Sequence, residues 1–372
     1  MAKVRAAVQV EDRRIEIQEF ELPKIGPDAG LLRVEACGMC GSDVEQYDGA
    51  FRQLGLRYPV IPGHEPVGYI EEVGAEAAGR WGVKRGDRVA VEPVLGCGHC
   101  RACLTGAYRR CRTGRPGTAI ASYAFIPTSV APGLWGGYAE YMYLDPHTVM
   151  HKVAPSLPIE LVALYQPLAA GMRWAVQEPG TKIGDTVVIL GCGQRGLASV
   201  VAVREAGAGR VIVTGLRRDT HKLELAHEFG ADATIVADQE DTVERVRELT
   251  SGEGADVVVD VTAVSVQPIA DAVEIAKPGA TIIIAGVKGS GATIPNLVSD
   301  KLLIKELTIK GVWSQDLRAF EPALALIESR KRPLEKMHTH TFGLNEVDLA
   351  VRTLAGRVEG QNAIHVMVVP KL

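Results

Sequence analysis

The chain reads Thr186-Val-Val-Ile-Leu190, then Gly191-Cys-Gly193-Gln-Arg-Gly196, then Leu197-Ala-Ser-Val-Val-Ala-Val-Arg-Glu205. A buried-type apolar run passes into three glycines spaced G-x-G-x-x-G, and these open directly into a helical pattern. In that setting the first glycine permits a tight turn, the second lets a pyrophosphate approach the backbone, and the third lets the helix lie close on its strand. The helix N-terminus offers the phosphates N–H groups and a partial positive charge. The stretch predicts a dinucleotide-binding turn, with Gly191, Gly193, Gln194, Arg195 and Gly196 as cofactor contacts. For Arg195 an exposed position away from the pyrophosphate is the alternative.

Outward from this turn, beyond Pro155, strand patterns alternate with helical ones. Strands are expected at 186–190, 210–214, 233–236, 256–261, 280–285 and 307–312. Six such strands make a doubly wound parallel sheet of two mononucleotide-binding halves, an α/β domain. Roughly twenty residues past the glycines, an NAD site wants an acidic residue for the ribose hydroxyls. Gly215 stands there instead, followed by Arg217 and Arg218. Glycine removes a charge that would repel a 2′-phosphate, and the arginines can pair with one, so NADP(H) is favoured over NAD(H). The bland reading of the same residues is a solvated helix start capped by Asp219. Thr262 and Val287 complete the expected cofactor set.

The 372 residues suffice for two domains, and a net charge of −4 with 47% hydrophobic residues is ordinary globular composition. No basic face suggests nucleic acid, and no apolar run reaches membrane-spanning length. The first residues meet charges too soon for a secretory signal, so a cytosolic protein is expected.

Before the Rossmann-type segment the pattern is β-rich, with period-two alternation at 14–20 and 31–36 and further strand patterns at 68–74, 86–92 and 136–141. Two loops among these strands carry chemistry: Ala36-Cys-Gly-Met-Cys40-Gly-Ser-Asp43 and Pro62-Gly-His64-Glu65-Pro-Val-Gly68. Thiolate and imidazole are ligands zinc prefers, and a catalytic site needs three protein ligands and one open position. Cys40, His64 and Glu65 can supply them; Cys37 reads as a small buried hydrophobe. A third loop spaces Cys97, Cys100, Cys103 and Cys111 as C-x2-C-x2-C-x7-C. Four thiolates close a tetrahedral shell, as in a structural zinc, whereas an odd total of seven cysteines argues against a disulfide framework. Residues 113–135, rich in Gly, Pro and Ala with Tyr123, Phe125 and Trp135 interspersed, form an irregular stretch suited to a substrate entrance or an oligomer contact.

The order of these motifs resembles the medium-chain, zinc-dependent alcohol and polyol dehydrogenase family. The matching pieces are Cys40-Gly-Ser-Asp43, Gly63-His-Glu65 with Gly68 and Gly74, Gly86-Asp-Arg-Val89, the Cys97 to Cys111 lobe and the glycine turn, spanning nearly the whole chain. The resemblance implies a GroES-like catalytic domain from both chain ends, residues 1–155 and 311–372, with a structural-zinc lobe at 96–112. It is built around an inserted Rossmann dinucleotide-binding domain, residues 156–310. It further implies that Cys40 and His64 bind a catalytic zinc, that Ser42 takes the substrate's hydroxyl proton, and that the chain forms a homodimer or homotetramer.

Two positions depart from the family pattern. Members carry a cysteine or glutamate ligand before a Pro-Leu pair, where this chain has Gln166; its amide oxygen either coordinates zinc or stands one water away, while Glu65 takes a direct ligand role. Five residues after Cys40, where a histidine often relays the proton, stands Glu45, which can do the same if burial raises its pKa toward neutrality. A solvated surface glutamate is the alternative there. The expectation is thus a dehydrogenase with two zincs per chain, moving hydride between a small alcohol or carbonyl substrate (polyol, sugar or secondary alcohol) and NADP(H) or NAD(H). The alternatives are a zinc-poor enone or quinone reductase, which the neutral Gln166 favours, and a non-catalytic nucleotide-binding protein. Metal content separates them.

Overall fold

Alternating apolar and polar residues in the first third of the chain form antiparallel strands, and unbroken Val/Ile runs after residue 185 form parallel ones, as strands wetted on one face and strands covered on both should. The computed structural model describes residues 3–113, 120–289, 291–295 and 297–372. The chain divides into two compact units: Met1–Tyr165 with Leu324–Arg330 and His338–Leu372, and Gln166–Ala323 with Lys331–Met337.

In the first unit, β1 (Lys3–Glu11) and β2 (Arg14–Glu21) make an antiparallel pair. A second sheet is built from β3 (Gly30–Met39), β4 (Glu65–Val73), β5 (Arg88–Val91), β6 (Tyr141–Leu144), β7 (Met150–Lys152), and two strands from far downstream, β14 (His338–Gly343) and β15 (His365–Val369). Its order is β14-β15-β3-β4-β5-β7, with β6 on β3. The strand expected at 136–141 starts only at Tyr141. Before it, Gly136 and Gly137 press their backbone onto other segments: a Cβ at 136 would stand 1.9 Å from the Ile61 carbonyl oxygen, and one at 137 would stand 2.6 Å from Cys37 Sγ. Close approach of that kind replaces ladder pairing there.

The second unit holds β8 (Thr186–Leu190), β9 (Arg210–Gly215), β10 (Ala233–Val236), β11 (Ala255–Asp260), β12 (Ala276–Ile284) and β13 (Thr308–Gly311). All five pairings are parallel, in the order β10-β9-β8-β11-β12-β13. That is the doubly wound order in which the first and fourth strands meet at the centre and the chain reverses direction across the sheet. Val188, Ile212, Val258 and Ile282 are fully buried at its core. No helix among the described residues is long and apolar enough to cross a membrane.

Candidate active site

Strand register assembles the first cluster. β3 and β4 run antiparallel with Gly38 opposite Glu65, so Cys40, just past the end of β3, lands beside His64, just before β4. Cys40 Sγ lies 3.3 Å from His64 Nε2, which lies 3.9 Å from Glu65 Oε1, and the three ligand atoms are all within 4.8 Å of one another. Atoms bound to one tetrahedral zinc stand roughly 3.4–3.8 Å apart, so the set fits the ion. Ser42 Oγ is 2.9 Å from Cys40 Sγ and 3.3 Å from His64 Nε2. All three candidate ligands are buried.

The surroundings orient these groups toward one another. Cys40 caps the helix Gly41–Tyr47, and its N–H donates to Asp43 Oδ2 at 2.9 Å. The other Asp43 oxygen lies 3.5 Å from His64 Nδ1, which turns Nε2 toward the thiol. Burial pushes the His64 imidazole down, but the charges of Asp43 and Cys40 outweigh it and hold its pKa well above the usual value. A buried cluster so rich in anionic ligands attracts a cation. Gly38 makes room for the carboxylate: a Cβ there would lie 2.7 Å from Glu65 Oε2. Phe125 stands 6.1 Å from the His64 ring and meets Phe51 edge-on at 5.2 Å, an apolar wall beside the cluster. Residues 120–135 of the aromatic stretch are described, while 114–119 lie outside the described residues. Glu45 is partly buried in the same short helix, and burial raises its carboxyl to about 7.

The four-cysteine lobe forms as spaced. Sγ separations of 3.9 Å (Cys97–Cys103), 3.5 Å (Cys100–Cys103) and 3.8 Å (Cys100–Cys111) match the edges of a zinc tetrahedron and far exceed a disulfide. Backbone N–H groups of Cys97 and Cys100 point at Cys111 and Cys97 sulfurs, at 3.4 and 3.3 Å.

In the second unit the glycine turn joins β8 to the helix Gln194–Glu205. Gly191 takes a φ of +105°, and a Cβ at Gly196 would stand 1.9 Å from the Gly191 carbonyl oxygen. Gly193, the N-cap, has open space where a Cβ would be, so a ligand can approach its backbone. Gln194 is buried. Arg195 is turned elsewhere than expected: its guanidinium donates to the Gln166 carbonyl and amide oxygens at 2.8 and 3.3 Å and lies over the Trp174 ring. Gln166, in the helix Tyr165–Gly171, thus belongs to a different compact unit from Cys40, His64 and Glu65.

Gly215 ends β9, and its smallness has a packing cause as well, since a Cβ there would lie 2.5 Å from Cys192 Sγ and 2.9 Å from Leu223. Arg217 and Arg218 are exposed. Asp219 does not cap the following helix with its side chain but pairs with Lys222 at 2.7 Å. Thr262 and Val287 lie past the C-terminal ends of β11 and β12, at the edge of the sheet where such folds bind ligands. Sequence reasoning assigned no role to Asp43, Phe51 or Gly38; the aspartate at the third position of a helix capped by a candidate ligand cysteine was the one available signal.

Comparison with known proteins bears on the family. Residues 26–155 match the family model of the alcohol dehydrogenase GroES-like domain, and residues 196–329 match that of zinc-binding dehydrogenases. The chain is 44% identical over 370 residues to a Mycobacterium tuberculosis protein named "Probable alcohol dehydrogenase adh", covering 99% of each. It is 31% identical to an erythritol/L-threitol dehydrogenase of Mycolicibacterium smegmatis, covering 99% of this chain and 98% of that one. Among solved structures, a Sinorhizobium meliloti protein described as a "putative zinc-binding dehydrogenase" and bound to NADP superimposes with a TM-score of 0.86 at 27% identity, over the full length of both chains. With both family models in place and a relative this similar along its whole length, the chain belongs to the medium-chain, zinc-dependent alcohol and polyol dehydrogenases.

Proposed function

We propose that the chain carries two zincs, one held by Cys40, His64 and Glu65 and one by the four cysteines, and oxidises an alcohol, or reduces the matching carbonyl, with NADP(H) in preference to NAD(H). The observation that carries this reading is the buried Cys40–His64–Glu65 cluster with Ser42 against it. When bound, zinc supplies Lewis-acid polarisation of a substrate hydroxyl, and the nicotinamide supplies the hydride acceptor. Ser42 Oγ takes the hydroxyl proton as it leaves, and Glu45 accepts it onward, a task suited to a carboxyl pushed toward neutrality. The four-cysteine site is saturated by protein and holds its loop. Gln166, fixed by Arg195, is left out of the ligand set.

Exposed Arg217 and Arg218, with Asp219 already paired to Lys222, favour a 2′-phosphate. Kinship with an erythritol/L-threitol dehydrogenase supports a polyol, sugar or secondary alcohol as substrate. The first compact unit acts as catalytic domain and the second as dinucleotide domain. The open edge of β13, with exposed Ile309, Leu303, Ile304 and Trp313 nearby, supports self-association into a dimer or tetramer. Seven unbridged cysteines fit a reducing, cytoplasmic setting. The test is metal analysis of the wild type and Cys40→Ala. Two zincs per chain, with the variant losing one zinc and all turnover but still binding NADPH, is the expected result; undiminished turnover of the variant refutes the metal role.

A further inference from the structure

Past the C-terminal ends of β11 and β12 lies a polar knot that the reading above does not use. Asp260, the last residue of β11, is fully buried, and Lys288 Nζ reaches its Oδ2 at 2.8 Å with a side chain only 9% exposed. The same ammonium donates to the Thr262 carbonyl oxygen at 2.6 Å and to Thr262 Oγ1 at 2.7 Å. Thr262 in turn donates through N–H and Oγ1 to Asp260 Oδ1, at 2.9 and 2.6 Å. The knot fixes segment 260–262 in two directions. A Cβ on Gly191 of the glycine turn would meet Thr262 Cγ2 at 3.0 Å, and one on Gly286 would meet the Thr262 carbonyl oxygen at 1.8 Å.

The segment held this way continues into an unusual valine. Val264 has a φ of +68°, a conformation a β-branched residue rarely adopts, and its N–H donates to the Val287 carbonyl oxygen at 2.9 Å. Val264 is 79% exposed and Val287 38%. A strained backbone persists only where its surroundings over-determine it, and such residues gather at ligand sites. The glycine turn and the ribose-facing position lie on β8 and β9, which leaves the β11–β12 half of the sheet to the second mononucleotide.

We propose that Lys288 is a positioning residue for the nicotinamide half of the cofactor. Its bonds to Asp260 and Thr262 hold Val264 and Val287 as an apolar seat for the flat nicotinamide ring at the sheet edge. This inference rests on the dinucleotide reading of the glycine turn. The test compares the dissociation constants of NADPH and NADH with those of 2′-phospho-ADP-ribose and ADP-ribose, the same molecules without nicotinamide. It uses the wild type, Lys288→Met/Asp260→Asn, which removes the pair without stranding a buried charge, and Lys288→Gln/Asp260→Asn, which does the same but keeps an amide donor should the first variant not fold. Both variants should bind the dinucleotides about tenfold or more weakly and the ADP-riboses within about twofold of wild type. Equal weakening of both ligand types would assign the knot a structural role only and overturn the proposal, as would no change in either. Wild-type protein that binds neither ligand type would instead overturn the dinucleotide reading itself.

Discussion

Replacing Glu45 with glutamine should remove one limb of the pH profile. With its carboxyl raised by burial from 4.5 to about 7, the proton-accepting carboxylate makes up about nine-tenths of molecules at pH 8 and about one-tenth at pH 6. If Glu45 takes the proton from Ser42, kcat/KM for alcohol oxidation falls roughly tenfold between those pH values for this reason alone. Carbonyl reduction needs the protonated form, so its rate falls in the opposite sense above pH 7. Glu45→Gln should lower oxidation at pH 8 by about 10²-fold, the low end for general acid–base groups, and flatten the profile between pH 6 and 8. The assay is cofactor absorbance at 340 nm with saturating NADP(H), in both directions, across pH 5.5–9. An unchanged acid limb in the variant would refute the relay. Stability supplies a second readout with a definite sign. A carboxyl whose folded pKa lies above its unfolded 4.5 stabilises the fold fully below that value, and the contribution is lost as pH rises through about 7. The melting temperature of Glu45→Gln relative to wild type should therefore rise with pH across that window.

Three further outcomes are expected. Arg217→Ser/Arg218→Ser should weaken NADPH about 10- to 100-fold, the value of charge-assisted bonds to a phosphate, and change NADH less than about twofold; parallel losses in a fluorescence titration would sink the 2′-phosphate argument. Gly196→Ala places a Cβ 1.9 Å from the Gly191 carbonyl oxygen, so the turn must open and dinucleotide binding should disappear; normal titration would show that this contact does not set the turn. Cys103→Ser should cost one zinc and lower the melting temperature while the remaining folded enzyme keeps its kcat. Loss of activity in proportion to neither zinc nor folded fraction would contradict a purely structural lobe.

What could be read from residues alone was whatever is local and periodic. Val187 to Leu190, running into Gly191, named the central strand and its turn because both signals lie within a dozen neighbours. The four cysteines were legible for the same reason. Other facts depend on what distant segments bring together. Gly38 matters only because register sets it opposite Glu65, and Phe125 matters only because its loop folds back to His64. Gly215 shows a different limit: its missing side chain was read as electrostatic, yet Cys192 and Leu223 also fill the space a Cβ would take. Arg195 sits in a phosphate-binding turn by sequence, but its side chain finds Gln166. Lys288 and Asp260 are unremarkable in sequence and become a knot only when β11 and β12 lie side by side.

The pairing of β15 with β3 has a consequence for how the molecule comes into being. Val366, Met367 and Val368 hydrogen-bond alongside Met39, Gly38 and Cys37, the residues that lead into Cys40. These partners are translated more than three hundred residues apart, an interval of roughly 15–70 s at ordinary synthesis rates of about 5–20 residues per second. Throughout that interval the segment bearing Cys37 and Cys40 lacks one flank of its sheet. The six parallel strands of the second unit come from one continuous run of chain and can close within it. The Cys37 side chain, which packs against Val366 and Val368 in the finished core, therefore emerges long before that cover exists.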